Sequence, residues 1–204
     1  MGPRGKNAER SATTRAALVA AGRRLFEERG YAGTSTADIV ATAEVTRGAL
    51  YHHFVDKEDL LRAVVIEIQE ELIEQVIEAA FAKEPDAWGV WTAGWLAFLG
   101  IADQPGVRVL MVDAPAVMGL EAWREIDDLY CLSAVIAGLR DLIEHGVIPD
   151  QPVEHLARVL LTGGNALATH IAGSADPAVE RDRLIPIWLQ QLEWIRQPLS
   201  SAAQ

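Results

Sequence analysis

Apolar residues recur every three or four positions along most of this chain of 204 residues, which is the spacing of helix faces buried against a core. Sustained alternation of apolar and polar residues, typical of half-buried strands, is absent from the sequence, and so are Asn-Gly hairpin turns. Glycine and proline end the periodic segments, for example at Gly30, Pro85 and Gly146. The pattern predicts an all-α fold of nine helices.

Charge is divided unevenly along the chain. Residues 1–62 hold ten Lys/Arg and eight Asp/Glu, a formal charge of +2, whereas residues 63–204 hold eight and twenty-one, a formal charge of −13. Nucleic acid is attracted by local basic surface and not by the charge of a whole chain. The net charge of −11 therefore does not exclude a nucleic-acid partner for the first third.

Signals for secretion or membrane insertion are missing from the sequence. No apolar run reaches the ~18 residues that a membrane-spanning helix requires. The basic residues near the N-terminus are not followed by the apolar stretch of a signal peptide. Cys131 is the only cysteine, so no intrachain disulfide can form. We expect a cytoplasmic protein with no membrane partner.

Two short helical segments, 35–42 and 46–53, stand out because the second is too short and too polar to be explained by core burial. Ser35 and Asp38 have the spacing of a capping box, and Thr46 is a candidate N-cap for the second segment. Asp56 is expected to cap the long helix that follows. Two such helices joined by a tight turn predict a helix-turn-helix, whose second helix enters the major groove of DNA.

Around this pair the sequence resembles the DNA-binding domain of the TetR family. The likeness runs from about Thr14 to Leu61 and includes the stretches 30–36, 38–41, 45–54 and 56–61. It implies a homodimeric repressor that binds a palindromic double-stranded DNA operator and is released by a small effector. We therefore expect a flexible arm over 1–12, a DNA-binding domain over 13–60, a helical sensing and dimerisation domain over 61–198 and a tail over 199–204.

The resemblance assigns DNA contacts to eight residues: Thr36, Thr46, Arg47, Gly48, Ala49, Tyr51, His52 and Lys57. Those in the second helix of the motif from Thr46 to Ala49 are expected at base edges, and the others at phosphates. The fork of Arg47 fits the O6 and N7 atoms of guanine.

One residue departs from the family pattern. Glu44 stands at the turn position that is commonly glycine in the family. If its φ is positive, the substitution costs on the order of 1 kcal/mol and places a negative charge near DNA.

An aromatic stripe follows in the next helix, where Trp88, Trp91, Trp95 and Phe98 share one face. Neighbouring segments add Met111, Met118 and Trp123. These residues are either ordinary core or the wall of an apolar cavity, and one residue can serve both roles. If they line a cavity, its ligand is mostly apolar and uncharged or weakly charged.

The last two helices carry two further apolar stripes: Leu156, Leu160, Gly163 and Leu167 on one, and Leu184, Trp188 and Leu192 on the other. In the family this pair of helices meets its symmetry mate, which predicts the dimer interface. The alternative is that both stripes are hidden within one subunit. Pro186 either kinks the last helix or marks a later start capped by Asp182.

Catalytic and metal-binding patterns are missing. We find no nucleophile–base pair, cofactor fingerprint or metal-ligand spacing, and His52 and His53 project about 100° apart on a helix. We therefore expect no enzyme activity, no cofactor and no metal. Two rival hypotheses remain open: a regulator that activates or answers to a protein effector, and an α-helical enzyme that uses the Trp-lined cavity.

Overall fold

A computed structural model describes residues 3–82 and 86–198 of the chain. Nine helices occur in these two ranges, and no strand lies within them. The helices are α1 Pro3–Arg29, α2 Thr36–Thr42, α3 Arg47–His53, α4 Lys57–Phe81, α5 Ala87–Gly100, α6 Pro105–Met118, α7 120–144, α8 Val153–Gly173 and α9 Pro177–Glu193. The predicted all-α class is confirmed.

Helix α1 begins at Pro3, about ten residues before the start that the apolar spacing predicts. Residues 8–10 are exposed, as are Ala12 and Thr13, so the stretch from residue 8 to residue 13 has almost no buried face to indicate a helix in the sequence. A helical backbone therefore runs through most of the expected arm over 1–12. The first two residues of that arm, and the tail over 199–204, lie outside the described residues.

Helices α6 and α7 each contain a π-helical segment. In α6 it spans Val109–Asp113, and in α7 it spans Asp128–Leu132, between the α-helical segments Leu120–Asp127 and Ser133–Glu144. A π segment widens the turn and rotates the side chains that follow it, and such segments are frequent at functional sites.

The last two helices differ in detail from the sequence-based prediction. Pro152 is the N-cap of α8 and not its first helical residue. Asp176 caps α9, accepting from the backbone N–H of Val179 at 3.1 Å. Helix α9 runs through Pro186 without interruption, so the later start capped by Asp182 is not observed.

One continuous core joins the N-terminal helices to the rest of the protein. Helix α4 packs against both α1 and α5. Arg23 of α1 forms ion pairs with Glu67 and Glu71 of α4, at 3.2 and 2.6 Å. Helix α6 reaches back to the same region, where the Asp113 carboxylate accepts from the backbone N–H of Tyr31 at 3.1 Å. Helices α4 and α6 thus connect the helix-turn-helix to the larger helical domain.

No single helix in the described ranges is long and apolar enough to cross a membrane. Helices α5 and α6 together reach that length and composition, but they are bent by 85° relative to each other.

Candidate DNA-binding surface and ligand cavity

Side-chain caps fix the start of α2, α3 and α4. The Ser35 hydroxyl accepts from the backbone N–H of Asp38 at 3.1 Å, and the Asp38 carboxylate accepts from the backbone N–H of Ser35 at 3.0 Å. The Thr46 hydroxyl accepts from the N–H of Ala49 at 3.1 Å, and the Asp56 carboxylate caps α4 in the same way. The predicted caps at all three positions are confirmed.

Helix α3 turns its apolar side to the core and its polar side to solvent. Leu50 is fully buried, with Phe54 buried beside it, whereas Arg47, Tyr51 and His52 are exposed. The guanidinium of Arg47 lies 5.5 Å from the centroid of the Tyr51 ring, and its Nη2 is 3.5 Å from the Tyr51 hydroxyl. The side chain of Arg47 therefore lies along α3 and not across the protein surface.

The N-terminus of α2 adjoins this exposed face of α3. Hydrogen bonds to Tyr51 from Arg47 and then from Thr36 lower the pKa of the Tyr51 phenol below its usual value. Gly48 is exposed and Ala49 half-buried in the first turn of α3. The structure thus brings the residues predicted for DNA contact onto the ends of two adjacent helices, with Lys57 as the exception.

Lys57 is turned inward at the start of α4. Its Nζ donates to the carbonyls of Tyr31 and Thr34, both at 2.9 Å, and lies 3.8 Å from the centroid of the Tyr31 ring. Burial lowers the pKa of this ammonium below its usual value. Two of its three N–H donors are taken by these carbonyls, so at most one is left for a phosphate.

Glu44 adopts a positive φ of 55° in the turn between α2 and α3. It stands just after the α2 C-cap Ala43, and the N–H of Val45 donates to the carbonyl of Val40 at 3.0 Å. This is the left-handed helix ending that favours glycine. The sequence-based expectation for Glu44 therefore applies, and its side chain is exposed beside the recognition helix.

A cavity of about 510 Å³ lies in the larger domain, between the C-terminal half of α4, the helix α5 and the middle of α7. Its walls are the following side chains: Gln69, Leu72, Ile73, Val76, Ile77, Ala80, Phe81, Ala87, Val90, Trp91, Gly94, Trp95, Phe98, Leu110, Cys131, Ala134, Val135, Ala137, Gly138, Asp141 and Leu161. Ile77, Phe81 and Asp141 are exposed and therefore lie at its mouth. The size and the apolar walls suit an organic molecule of moderate size.

Three of the seven residues predicted for this wall line the cavity, namely Trp91, Trp95 and Phe98. Trp91 and Trp95 are also buried members of the core, so they serve both roles. The other four do not line it. Trp88 lies under the guanidinium of Arg196, whose Cζ is 5.0 Å from the centroid of the indole ring.

The remaining three predicted wall residues lie in three other parts of the larger domain. Met111 is buried in the core within the π segment of α6. Met118 is half-buried against the core at the end of α6. Trp123 lines a second, smaller cavity of about 170 Å³ between α7 and α8. The walls formed by α4 and α7 were not predicted from the sequence. The exposed apolar side chains of Ile77 and Phe81 mark the cavity, but their exposure is known only from the structure.

Polar residues form a buried network next to the cavity. Gln69 Nε2 donates to Cys131 Sγ at 2.8 Å, and Asn165 Nδ2 donates to Asp127 Oδ2 at 2.7 Å. Burial raises the pKa of Asp127 to about 6, opposed in part by the hydrogen bond from Asn165. Burial, and then the nearby charge of Asp127, raises the pKa of the Cys131 thiol far above its usual value. Cys131 therefore stays protonated and acts as a small packing residue, not as a nucleophile.

The stripes predicted for the dimer interface lie partly within the single chain. Leu160, Trp188 and Leu192 are buried within the single chain. The other four, Leu156, Gly163, Leu167 and Leu184, are half-buried. A Cβ at Gly163 would lie 3.1 Å from the Trp188 ring, so α8 and α9 pack on each other through these stripes. Three of the seven residues are thus hidden within one subunit, whereas the four half-buried ones keep part of their surface exposed in the single chain.

Comparison with known proteins agrees with this architecture. The family model described as "Bacterial regulatory proteins, tetR family" matches residues 18–64, and the family model described as "Tetracyclin repressor-like, C-terminal domain" matches residues 88–190. The crystal structure of a TetR-family transcriptional regulator from Pectobacterium atrosepticum superposes with a TM-score of 0.81 and 31% sequence identity, over 93% of this chain and 97% of that one.

Curated relatives divide into full-length and partial matches. The TetC protein of transposon Tn10 from Escherichia coli is 27% identical over 184 residues, 86% of this chain and 89% of its own length. The HTH-type transcriptional regulator TtgR of Pseudomonas putida is 44% identical over only 62 residues, 30% of each chain. The second match is higher in identity but is limited to about a third of either protein. Taken with the exposed recognition helix, these likenesses show that the chain belongs to the TetR family and is a DNA-binding transcriptional regulator.

Proposed function

We propose that this regulator is a repressor that binds a palindromic operator as a homodimer and is released by a small, mostly apolar effector held in the 510 Å³ cavity. The observation that carries the proposal is the course of α4. This single helix of 25 residues begins at Lys57, beside the helix-turn-helix, and ends at Phe81, in the mouth of the cavity. A rigid element that contacts both sites can transmit a change from one to the other.

Helix α6 provides a second connection between the cavity and the DNA-binding helices. Gly106 of α6 packs against α1 and α4, where a Cβ would lie 3.2 Å from Glu27 and 3.5 Å from Ile68. Asp113 of the same helix accepts from Tyr31, and Leu110 lines the cavity. An effector that spreads α4 from α5 would therefore shift the helix-turn-helix through both contacts. Release follows if the effector binds the shifted state more tightly.

The dimer surface of this proposal is the outward side of α8 and α9. Val159 of α8 is 67% exposed, and Ile187 and Trp194, in α9 and the turn that follows it, are 56% and 62% exposed. Large apolar side chains this open to water mark interaction surfaces when they cluster. Two copies joined here would present two α3 helices to half-sites about 34–36 Å apart, or a multiple of a helical turn.

On DNA we assign direct readout to Arg47, with Thr46 at the same base edges and Gly48 and Ala49 leaving room for close approach. Phosphate contacts are assigned to Thr36, Tyr51 and His52. The domain boundaries proposed for these roles are 13–60 for DNA binding and 61–198 for sensing and dimerisation. Arg47 is exposed, and its guanidinium reaches only the phenol of Tyr51 among its described contacts, so it is available to a base edge.

The test begins with selection of a duplex from a random pool by the full-length protein. Arg47→Ala should lose about 1–3 kcal/mol on the selected duplex and lose sequence preference at the contacted base pair. Arg140→Ala, an exposed arginine of α7, is the matched control and should bind as wild type does. Equal loss on selected and random duplexes would make Arg47 a phosphate contact. Selection of no duplex, or of one without dyad symmetry, would contradict the proposed operator.

A further inference from the structure

The effector cavity is apolar except at a few points on its wall. Apart from the indole N–H groups of its tryptophans, Gln69, Cys131 and Asp141 are the lining residues with polar side chains. Asp141 is exposed at the mouth, whereas Gln69 is only 2% exposed. No lysine or arginine is among the described residues that line the cavity. A bound anion would therefore find no Lys or Arg to pair with among the described wall residues, and on entry it would pass the Asp141 carboxylate, which lies 3.4 Å from His145 Nδ1.

The amide of Gln69 is held in one orientation by the network behind it. Its Nε2 donates to Cys131 Sγ at 2.8 Å and lies 3.5 Å from Asp127 Oδ1. Asp127 is itself fixed by the bond from Asn165. Because the carboxylate of Asp127 is an acceptor, the amide must present its N–H₂ end to that side. The Oε1 atom is consequently the free end of the group.

That free end has no hydrogen-bond donor in the described part of the chain. Gln69 Oε1 is buried without a partner, and so is the indole Nε1 of Trp91, another wall residue of the cavity. A buried acceptor without a donor is unfavourable, and a ligand that supplies the donor removes that penalty. Two residues of the cavity wall therefore carry, just beneath its surface, one acceptor and one donor without a partner.

We propose that the effector is an uncharged or cationic molecule with an apolar body and a hydroxyl or amino group, and that Gln69 Oε1 accepts a hydrogen bond from this group. The proposal rests on the proposed function, because it takes the cavity to be the effector site. The apolar body packs on Trp91, Trp95 and Phe98. Anions are rejected because negative charge would approach Asp141 at the mouth and Asp127 behind Gln69.

Three probes that share a naphthalene ring test the proposal. 2-Naphthol carries a donor, 2-methoxynaphthalene carries only an acceptor, and 2-naphthoate is an anion. Isothermal titration of the full-length protein should show 2-naphthol bound about tenfold more tightly than the ether, the effect of one well-placed hydrogen bond, and 2-naphthoate bound most weakly. Gln69→Leu should abolish the preference for 2-naphthol over the ether. Gln75→Leu, an exposed glutamine of the same helix outside the cavity, should keep it.

Each other outcome has a defined meaning. Equal binding of 2-naphthol and the ether by the wild-type protein, or tightest binding of 2-naphthoate, overturns the proposed ligand class, and this comparison stands even if Gln69→Leu fails to fold. Binding of none of the three probes overturns it as well, and leaves DNA binding and dimerisation untouched. If the probes bind as expected but never change operator affinity, the ligand chemistry stands and effector-released repression is overturned.

Discussion

The indole ring of Trp95 lies over the backbone of Gly164, so close that a Cβ at position 164 would overlap the Cζ3 atom of Trp95. Trp95 comes from α5 and lines the cavity, whereas Gly164 lies in the middle of α8. The absence of a side chain at position 164 therefore sets how deeply Trp95 enters the core. This contact also joins the cavity wall to the helix that carries the proposed dimer surface.

Gly164→Ala should destabilise the protein by about 1–3 kcal/mol, because the added methyl group must displace a buried indole ring. Gly173→Ala, in the same helix, has nothing within 4 Å of the added Cβ and should be neutral or slightly stabilising. Chemical denaturation of both variants gives the comparison. Equal stability of the two would mean that Trp95 moves aside without cost, and that the shape of the cavity does not depend on Gly164.

Glu44→Gly should stabilise the protein by about 1 kcal/mol, because a residue with a side chain is strained at a φ of 55°. The greater freedom of glycine in the unfolded chain offsets part of this gain. Removing the negative charge beside α3 should also tighten binding to any duplex at low salt. Glu44→Gln separates the two effects, since it removes the charge and keeps the strain. A glycine variant no more stable than the glutamine variant would contradict the strain argument.

Lys57→Met should cost about 1–3 kcal/mol of stability, because it keeps the stem of the side chain and removes the two hydrogen bonds to Tyr31 and Thr34. The salt dependence of DNA binding supplies the second readout. Loss of a phosphate contact flattens the log–log slope by about 0.9, and the inward position of Lys57 predicts a smaller change. A flattened slope with unchanged stability would restore Lys57 to the phosphate contacts expected from the sequence.

Asp127 should make stability depend on pH. Burial raises its pKa to about 6 from an ordinary value of 3.8, so the folded protein binds this proton more tightly than the unfolded chain does. The stabilising contribution is therefore fully present below pH 3.8 and is lost as the pH rises through 6. Above pH 6 the ionised, buried carboxylate is unfavourable by on the order of 3 kcal/mol.

Asp127→Asn removes this titration and keeps an acceptor for Asn165. Its stability relative to wild type should rise between pH 5 and pH 8, measured by urea denaturation at both values. Asp150→Asn, at an exposed position, should show the same difference from wild type at both. A constant difference for Asp127→Asn across this range would show that the carboxylate is better solvated than its burial implies.

The DNA-binding helices could be predicted closely because their signals are local. Ser35, Asp38 and Thr46 act on backbone groups within three residues, so the sequence alone contains both partners of each cap. Glu44 stands at the turn position that is commonly glycine in the family, and its φ there is positive. Such interactions do not depend on how distant helices are placed.

The cavity and the outward surfaces could not be predicted in the same way, because helical spacing does not say which neighbour covers a face. Trp88 and Trp91 are three residues apart on one predicted face, yet one lies against Arg196 and the other on the cavity wall. The π segment Asp128–Leu132 rotates the side chains that follow it in α7, so a constant helical period does not give the faces on which they lie. The most apolar faces of α8 and α9 pack largely within the subunit itself. A weaker surface of mixed polarity is left for a partner.

Dimerisation should accordingly depend on the exposed residues of α9 and not on its buried stripe. Ile187 is 56% exposed in the single chain, so Ile187→Asp leaves the fold intact, and its charge becomes unfavourable only when a second copy covers it. Sedimentation should show a helical monomer at concentrations where the wild-type protein is a dimer. Trp188→Asp, one residue away and buried, should instead unfold the chain. Leu129→Asp, at a position that is 70% exposed on α7, is the control for an added surface charge and should remain dimeric.

Because two linked half-sites bind about 10²–10⁴-fold more tightly than one, the Ile187→Asp monomer should lose affinity for a full operator and keep its affinity for a half-site. A folded Ile187→Asp dimer with full operator affinity would place the interface on another face of the protein.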